Sequence, residues 1–302
     1  MSTVFVLFLA LILDAILGEP DRIWSRVPHP AVLMGRAVGW CEARMNHGAG
    51  RVAAGVMALV ILMIGAWVFG GLLARLGGAV SVVVAAILIA QKSLVQHVEA
   101  VADALAVSPE DGRRKVALIV GRDTAHMTQS DVARAAIESG AENLSDGVIA
   151  PAFWFLVAGL PGLLVYKIVN TADSMIGYRT PRYEAFGKAA ARTDDLLNWV
   201  PARLTALLIL APQFSRAGWG LLRRDAPLHR SPNAGWPEAA MAARLNVALS
   251  GPRRYEGELR DFPYVNAQGT RDLDAAHVDE AVRVLWQAWA IALLGVGLLS
   301  LL

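Results

Sequence analysis

Residues 138–204 read ESGAENLSDGVIAPAFWFLVAGLPGLLVYKIVNTADSMIGYRTPRYEAFGKAAARTDDLLNWVPARL. The stretch places charged and amide side chains beside apolar runs that are able to enter a bilayer. Its polar members are Asn143, Asp146, Asn170, Asp173, Arg179, Arg182, Arg192, Asp194, Asp195 and Asn198. Such groups are costly in a membrane and mark functional sites when they occur there. The stretch therefore predicts where the chemistry of the chain lies.

The whole chain is more apolar than an ordinary soluble domain. Its 302 residues are 55% hydrophobic, and the mean hydropathy is +0.44. A membrane-spanning helix needs about 20 apolar residues. Five runs approach that length: Met1–Leu17, Val52–Leu73, Ala79–Ala90 continuing to about Val98, Val148–Val169 and Val284–Leu302. The composition predicts an all-α polytopic membrane protein that forms a single domain over the whole chain.

Charge and cysteine content exclude several classes of function. The net charge is +2, and no basic stripe with interleaved aromatic residues is present, so nucleic acid is not an expected partner. The single cysteine, Cys41, excludes an internal disulfide framework and a multi-thiolate metal site, and we expect it to be a buried small hydrophobe. No Lys or Arg precedes Asp14, and no small-x-small cleavage site follows the first run. That run is predicted to remain as a membrane anchor.

The connections between the apolar runs predict how they cross the bilayer. Gly18–Arg51 contains prolines and five arginines, so we expect a solvent-side loop on the cytoplasmic face. The short sequence ARLGG joins the second and third runs into a transmembrane hairpin. In the long polar region Gln213–Arg283 we expect an ordered loop with short helices, chiefly Glu238–Leu249.

The run Val148–Val169 is divided by Pro151 and by GLPG at Gly159–Gly162. Two halves of a dozen residues or fewer are typical of a re-entrant hairpin, which would return Asn170 to the side from which Asp146 left. Leu204–Ala211 is also too short to span, and we expect it to be buried or in-plane.

About four spans, with re-entrant or in-plane helices and long cytoplasmic loops, place every long Arg-rich segment on one side. A six-span alternative would export Thr171–Asp195. The positive-inside rule favours four spans. The predicted location is the cytoplasmic (inner) membrane, with the active face in the cytoplasm.

The helical segment 131–144 carries a row of acidic residues. Arg134 and Glu138 are four residues apart, and we expect a surface pair. Glu138, Glu142 and Asp146 share one face if the helix continues. Because like charges at this spacing repel, either the helix ends near Gly140 or a cation or an arginine neutralises the row. A magnesium ion held by Glu142 and Asp146 is one of these alternatives.

Two carboxylate and amide clusters are predicted from helical spacing. The first contains Asn170, Asp173 and Ser174, and the second contains Asp194, Asp195 and Asn198. Guanidinium groups bind phosphate or carboxylate bidentately, so the arginines between the clusters are candidate substrate contacts: Arg179, Arg182 and Arg192. Salt bridges within the protein are the alternative explanation. The sequence has no GxxxxGK[ST], no GxGxxG after a strand and no HExxH motif.

Several segments together resemble the membrane-bound cobinamide-phosphate synthase family of cobalamin biosynthesis (CobD/CbiB type). The most specific are NTADSMIGYR and ARTDDLLN, and the likeness also covers DAILGEP, HPAVLMGR, SLVQH, GRDT, IESGAENLSDGVIAPAFW and SPNAGWPEAAM in the same order. The chain departs from the family pattern at AMAARLNVALSGP, where a glycine-richer AMAGAL and LGGP would be expected. That departure concerns only local packing of the loop.

The resemblance implies an adenosylcobinamide-phosphate synthase, a ligase that joins aminopropanol or its phosphate to the free propionate carboxyl of adenosylcobyric acid. It also implies ATP as co-substrate and Mg²⁺, with association with other late cobalamin-pathway membrane enzymes or with a second copy of the chain as further possibilities. Such a ligase needs phosphate contacts, a base for the amine and donors for the developing oxyanion. Carboxylates for base or metal are Asp123, Glu142, Asp146, Asp173, Asp194 and Asp195; candidate substrate contacts are Arg122, Asn143, Asn170, Ser174, Arg179, Arg182, Arg192 and Asn198.

Two other classes of function are weighed against the ligase. A transporter needs polar groups within its spans, and Val52–Leu73, Ala79–Ala90 and Val284–Leu302 carry no charge. A non-catalytic membrane sensor is the stronger alternative, because a family related to this one is thought to act in signalling. The intact DSMIGYR and ARTDD segments favour the enzyme.

Overall fold

The computed structural model describes residues 1–255 and 257–301, with Asp21 described for its backbone alone. Within these residues the chain divides into two compact units. The first unit contains residues 1–92, 146–199 and 295–301, and the second contains residues 93–145 and 200–294. The prediction of a single domain stays a prediction.

Helices make up most of both units, which confirms the all-α fold class. The helices are α1 Thr3–Leu17, α2 Asp21–Trp24, α3 Pro30–Met45, α4 Arg51–Arg75, α5 Gly78–Leu88, α6 Gln91–Val107, α7 Pro109–Val116, α8 Gln129–Asn143, a π-helical turn Leu144–Ile149, α9 Ala150–Ile176, α10 Lys188–Leu197, α11 Trp199–Leu210, α12 Arg216–Asp225, α13 Gly235–Leu245 and α14 Ala275–Leu299. Single 3₁₀ turns occupy Ala211–Gln213 and Ala226–Leu228.

Four helical segments among the described residues are long and apolar enough to cross a membrane. They are Arg51–Arg75, Gly78–Val107, Gln129–Ile176 and Ala275–Leu299. The number agrees with the predicted four spans, but the membership differs. Helix α1, Thr3–Leu17, is apolar but has only 15 residues, whereas Gln129–Ile176 contains the predicted re-entrant segment. Leu302, the last residue of the predicted final run, lies outside the described residues.

The segment Gly18–Arg51 is not the loop that the sequence analysis predicts. It contains α2 and the 16-residue helix α3, which packs against α4 and α9. Pro30 stands at the first turn of α3, where its missing N–H costs nothing, and the ring Nδ1 of His29 accepts a hydrogen bond from the Ala31 N–H at 3.2 Å. Val38 and Cys41 lie in the hydrophobic core. The prediction that Cys41 is a buried hydrophobe is therefore confirmed.

The second helix of the predicted transmembrane hairpin is interrupted. Helix α5 ends at Leu88, Ile89 is extended, and α6 begins at Gln91. The carboxylate of Asp14 accepts a hydrogen bond from the backbone N–H of Gln91 at 2.9 Å, and the Ala90 N–H donates to the Gly147 carbonyl at 3.1 Å. These contacts satisfy backbone groups that the break leaves without helical partners.

Helix α8 is largely buried in the second unit and packs against α7 and α13. It begins with a capping box in which the Thr128 side chain and the Asp131 side chain each accept from the other's backbone N–H. The helix runs past Gly140 and continues into the π-helical turn. The predicted alternative of a helix end near Gly140 is wrong.

The predicted surface pair between Arg134 and Glu138 is also wrong, because both residues are only 6% exposed. Arg134 bonds Asp131 at 3.0 Å and the Ala248 carbonyl at 3.1 Å instead. The i,i+4 spacing indicated a solvated face, but α13 covers this helix, so each charged group has found a separate partner.

The region after α12 contains short strands that the sequence analysis did not predict. They are β1 Leu249–Ser250, β2 Arg253–Tyr255, β3 Glu258–Arg260 and β4 Tyr264–Val265. Strand β1 pairs with β4 and β2 pairs with β3, each pair antiparallel. The predicted helix Glu238–Leu249 begins at Gly235 and ends at Leu245, where Asn246 adopts a left-handed conformation (φ 54°). This conformation stops the helix and directs the chain into β1.

Candidate functional site

The segment before NTADSM folds back on itself in the first unit. Ala158 and Gly159 leave the helical conformation, and Gly159 has φ 62°, which favours glycine. The Tyr166 hydroxyl lies 3.0 Å from the Asp146 carbonyl oxygen. Twenty residues of straight helix would separate these positions by about 30 Å. The predicted return of the chain toward Asp146 is therefore confirmed.

Close backbone contacts hold the two arms of this hairpin and the helix beside them. A Cβ at Gly162 would lie 2.5 Å from the Trp154 carbonyl oxygen, so the arms approach too closely for any side chain there. A Cβ at Gly70 in α4 would lie 2.7 Å from the Cα of Pro161. Glycine at these positions lets the hairpin tip pack directly on α4.

Glycines allow the loop between α9 and α10 to contact both α9 and α4 through its backbone. A Cβ at Gly187 would overlap the Ile176 carbonyl, and a Cβ at Gly55 would overlap the Phe186 carbonyl. The backbone at the start of α10 thus lies against the end of α9 and against α4. This packing brings the NTADSM and ARTDDLLN segments together.

The Asp194 carboxylate lies at the centre of the resulting cluster. Asn170 Nδ2 donates to one of its oxygens at 3.2 Å, and Asn198 Nδ2 donates to the other at 3.0 Å. Asn198 Oδ1 lies 3.0 Å from the Tyr166 hydroxyl. We call Tyr166, Asn170, Asp194 and Asn198 the amide-carboxylate cluster. It joins residues from both predicted helical clusters.

Burial governs the ionisation of Asp194, which is 8% exposed. Desolvation raises the pKa of this carboxyl group from 3.8 to about 6, against the lowering effect of the hydrogen bonds from Asn170 and Asn198. The neighbouring Asp195 also has a raised pKa because of burial, opposed by the charge of Arg179. The two adjacent aspartates therefore differ from ordinary surface carboxylates.

The hydrogen bonds around the Tyr166 hydroxyl can also form when Asp194 is protonated. This hydroxyl has one hydrogen but faces two acceptors, the Asp146 carbonyl and Asn198 Oδ1. If Asp194 carries a proton, reversal of the Asn198 amide lets Asp194 donate to Asn198 and Asn198 donate to Tyr166. Every group then has a matching partner, so the cluster accommodates either protonation state.

Asp173 lies one turn after Asn170 and is half-buried. Its side chain covers Gly177, where a Cβ would overlap the carboxylate oxygen. The carboxylates of Asp146, Asp173 and Asp194 all lie close enough to Tyr166 to interact with it electrostatically. The fold thus brings three of the six predicted base or metal carboxylates within electrostatic range of one hydroxyl.

The predicted arginine contacts have different surroundings. Arg182 is committed to Glu42, with Nε and Nη2 each 3.0 Å from a carboxylate oxygen, which is the internal salt bridge that the sequence analysis gave as the alternative. Arg179 and Arg192 have exposed side chains, as does Ser174. These three residues can therefore meet a ligand from solvent.

Arg122 and Asp123 lie in the second unit. Arg122 donates to Glu138 at 2.7 Å, and Arg253 lies 3.3 Å from the same carboxylate oxygen. Glu138 also accepts from the Ser250 N–H at 2.6 Å. The acidic row is thus neutralised by arginine at Glu138, which was one of the predicted alternatives. Asp123 Oδ2 accepts from the Gly257 N–H at 2.7 Å.

Glu142 and Asn143 occupy the exposed end of α8, where Asn143 Nδ2 donates to the Ser139 carbonyl at 2.9 Å. Asp146 belongs to the first unit and is half-buried. Over residues 1–255 and 257–301, no group of three or more His, Cys, Asp or Glu side chains has the geometry to hold a metal ion. Carboxylate oxygens are nevertheless the donors that Mg²⁺ accepts, usually one or two at a time with phosphate oxygens completing the shell.

Sequence analysis missed two buried polar residues that the fold makes prominent. Tyr166 precedes Asn170 by four residues, so helical spacing alone would have placed it on the same face. Glu238 is 4% exposed, and its Oε2 lies 3.7 Å from His229 Nε2. Burial, together with the nearby charge of Glu138, raises the pKa of Glu238 well above 4.5. The only signal was one acidic residue within the apolar helix GWPEAAM.

Comparison with known proteins adds the family. The family model for CobD/Cbib protein matches residues 7–285. Curated relatives named cobalamin biosynthesis protein CobD include one from Brucella anthropi, 47% identical over 95% of this chain and 93% of its own length. A second comes from Rhizobium meliloti and is 47% identical over 95% of this chain and 93% of its own length. A third, from Rhodobacter capsulatus, is 42% identical over 100% of this chain and 99% of its own length.

No solved structure matches the chain. The family match nevertheless covers both halves of the amide-carboxylate cluster and the Arg122–Glu138 pair. On this match and these identities, the chain belongs to the CobD/Cbib protein family.

Proposed function

We propose that this protein is a membrane-bound adenosylcobinamide-phosphate synthase that joins aminopropanol or its phosphate to the free propionate of adenosylcobyric acid. The coarser statement, a role in cobalamin biosynthesis, rests on the family membership and on the names of the relatives. The observation that supports the ligase most directly is the Asp194 carboxylate between the amides of Asn170 and Asn198. Two segments that resemble the synthase family supply all three residues.

Amide formation requires a base, because the attacking amine is an ammonium ion at neutral pH. The amine nitrogen would form the new C–N bond as the bond between the activated carbonyl carbon and the phosphate oxygen breaks and phosphate leaves. The nitrogen gives up two protons, one of which the departing phosphate can carry and one of which must be accepted nearby. Asp173 is half-buried beside the cluster, and we assign it to hold the ammonium group or to accept this proton. Asp194 and Asp195, with pKa values raised by burial, and Asp123 in the second unit are the other carboxylates for acid-base steps.

The remaining residues have binding roles in this proposal. Arg179, Arg192 and Ser174 are exposed and can contact anionic or hydroxyl groups of the substrates. Asn143 and Asn170 carry amides that suit the carboxyl and amide groups at the edge of a corrinoid. Asn198 is only 1% exposed, so its role is to hold Asp194 in position for the substrate. Arg122 and Arg182 are assigned to substrate binding while they remain ion-paired with Glu138 and Glu42, respectively.

ATP and Mg²⁺ fit the donor set and stay part of the proposal. Bound together, they would supply the phosphoryl group that activates the propionate and the positive charge that balances it. We assign Glu142 and Asp146 to hold the metal, since both offer carboxylate oxygens.

The magnesium assignment predicts a specific change in metal dependence. Replacing Glu142 by Gln removes one charged ligand, so the Mg²⁺ concentration for half-maximal activity should rise several-fold. Glu142 is exposed, so the membrane yield of the variant should match that of the wild-type protein. An unchanged Mg²⁺ requirement would limit Glu142 to a structural role on the helix.

The proposed reaction is tested directly with purified protein. Adenosylcobyric acid, aminopropanol phosphate, ATP and Mg²⁺ are incubated with it, and mass spectrometry detects the amide product. A parallel reaction with aminopropanol identifies the preferred amine. Absence of both products from a folded preparation would reject the ligase and favour the non-catalytic sensor.

The other classes of function receive less support. The relatives are named for biosynthesis rather than for signalling. Within α4, no charged residue lies between Arg51 and Arg75, so this helix offers no polar path for a transported solute. The lipid bilayer is a partner in the proposal, and the inner membrane with a cytoplasmic active face remains the proposed location.

A further inference from the structure

The second unit contains a cleft of about 460 Å³ that lies beside the buried Glu138 ion pairs. It is lined by Arg122, Asp123, Thr124, His126, Arg254 and Gly257. A smaller cavity of about 100 Å³ shares Arg122, Asp123, His126 and Arg254 with it and adds Arg253 and Ser250. The two cavities therefore form one region, which we call the arginine cleft.

We infer that the arginine cleft binds a phosphate-bearing anion. This inference rests on the proposed function, in which phosphate enters either on a nucleoside triphosphate or on the phosphorylated amine. Both sources share the chemistry of a phosphate group with several oxygen acceptors. The volume of the cleft lies within the usual range for small-molecule sites.

The charges of the lining favour an anion. Four guanidinium groups line it among the described residues, and His126 adds an imidazole that is exposed to solvent; the arginines are Arg122, Arg134, Arg253 and Arg254. Two lining carboxylates, Asp123 and Asp131, oppose them. Asp123 is held by the Gly257 N–H, and Asp131 is engaged by Thr128 and Arg134. The acidic groups are thus occupied by protein donors.

The arginines are held in position before any ligand arrives. Glu138 accepts from Arg122 at 2.7 Å and lies 3.3 Å from Arg253, so one buried carboxylate fixes both guanidinium groups. Arg253 also donates to the Ser250 hydroxyl at 2.6 Å, while its Nε is buried without a hydrogen-bond partner.

The β2–β3 hairpin, Arg253–Tyr255 with Glu258–Arg260, supplies a charged group that remains accessible. Arg254 donates through Nη1 to the Gly257 carbonyl at 3.2 Å and contributes its exposed guanidinium to both cavities. A planar guanidinium contacts two phosphate oxygens at once. Arg254 is therefore the residue that tests the site with least disturbance of the buried ion pairs.

The test measures binding and does not depend on turnover. Isothermal titration calorimetry of the purified full chain in detergent would use three probes: AMP-PNP with Mg²⁺, aminopropanol phosphate, and adenosine as the control without phosphate. Arg254→Gln should weaken binding of a phosphate probe about tenfold or more, the usual effect of losing a charge-assisted hydrogen bond. Arg260→Gln on the same hairpin is the matched control, because Arg260 packs over Tyr255 and lines neither cavity.

The probe that binds the wild-type protein and binds Arg254→Gln more weakly identifies the source of the phosphate. Loss of AMP-PNP binding assigns the cleft to the nucleotide, and loss of aminopropanol phosphate binding assigns it to the amine. The inference is rejected if the wild-type protein binds neither probe, if adenosine binds equally well, or if Arg260→Gln weakens binding as much as Arg254→Gln. His126→Gln repeats the test if thermal unfolding shows that Arg254→Gln is not folded.

Failure of the site and failure of the proposed function give different results. If the wild-type protein forms the amide but Arg254→Gln binds both phosphate probes normally, the ligase stands and the arginine cleft is rejected. If the probes bind through Arg254 but adenosylcobyric acid is never converted, the anion site stands and the proposed reaction is rejected.

Discussion

At the scale of single residues, the environment of Asp194 distinguishes it from the other candidate carboxylates. Each of its oxygens accepts a hydrogen bond from a side-chain amide, and burial raises its pKa to about 6. A group with a pKa near the working pH can both hold and release a proton during turnover. Asp195, one residue later, shares the direction of the pKa shift.

Asp194 should therefore produce a pH dependence that its removal abolishes. A raised pKa means that the folded protein carries the ionised carboxylate only above about pH 6. If the ionised form is required, kcat/KM should rise with pH through about 6 and then become constant. In Asp194→Asn this acidic limb should disappear and activity should fall roughly a hundredfold, the lower range for loss of an acid-base group.

The measurement is kcat/KM between pH 5 and pH 8 for both proteins. An asparagine side chain has only one carbonyl oxygen, so in Asp194→Asn it cannot accept from both neighbouring amides as the carboxylate does. Thermal stability is therefore measured on the same preparations to separate misfolding from lost chemistry. An acidic limb that persists unchanged in the variant would assign the titration to another group.

Asp173 yields a second prediction at this scale. Asparagine keeps the shape of the side chain but removes the negative charge that would hold the substrate ammonium group. Asp173→Asn should therefore retain normal membrane yield and lose at least roughly a hundredfold of ligation activity. Glu184→Gln, which removes an exposed carboxylate in the loop before α10, is the matched control and should lose much less. Near-normal turnover in a folded Asp173→Asn protein would remove this residue from the site.

Residue spacing predicted part of this site. Asn170 and Asp173 were placed on one face, and Asp194 and Asn198 on another, by the 3.6-residue period of a helix. Their meeting depends on the contact of Gly187 with Ile176, which is a tertiary contact that no local period encodes. The partner of Arg182 was equally inaccessible, because Glu42 lies 140 residues earlier in the sequence.

At the scale of elements, the re-entrant hairpin was predictable and its surroundings were not. GLPG signalled a break because glycine reaches positive φ and proline cannot continue a helix. The helix α3 was missed because its arginines and flanking prolines resemble a loop, although Val38 and Cys41 bury one face against the core. The π-helical turn at Leu144–Ile149 has no sequence signature in this chain.

Two neighbouring glycines in α4 test the packing of the hairpin. A Cβ at Gly70 would lie 2.7 Å from Pro161 Cα and 3.0 Å from Leu164 Cδ1, whereas a Cβ at Gly71 would meet nothing within 4 Å. Gly70→Ala should cost about 1–3 kcal/mol of stability through overpacking. Gly71→Ala should be neutral or stabilising by about 0.5–1 kcal/mol, because alanine favours helix.

The comparison is made by thermal unfolding of both variants in one detergent. If the hairpin tip lies on α4 as described, Gly70→Ala lowers the unfolding temperature and Gly71→Ala leaves it unchanged or raises it. Equal effects at both positions would contradict that contact.

At the scale of the whole molecule, the ends of α4 establish a direction for the first unit. Arg51, at the start of α4, donates to the Pro181 carbonyl at 3.1 Å, so the loop between α9 and α10 lies at this end of the helix. The 25 residues of α4 extend for about 37 Å, which is enough to cross the hydrocarbon core. Leu76, just beyond the other end, therefore belongs on the opposite face of the membrane.

Labelling one residue at each end of α4 tests the predicted topology. Tyr178 in the loop is 59% exposed and Leu76 is 69% exposed, so a cysteine at either position can react. Each is introduced singly in a Cys41→Ala background, and intact spheroplasts are treated with a membrane-impermeant thiol reagent. The arginines around the loop favour a cytoplasmic location under the positive-inside rule.

We expect cysteine at position 76 to be labelled and cysteine at position 178 to be protected until the membrane is permeabilised. Labelling of position 178 with protection of position 76 would reverse the orientation and place the amide-carboxylate cluster on the periplasmic side, away from cytoplasmic ATP.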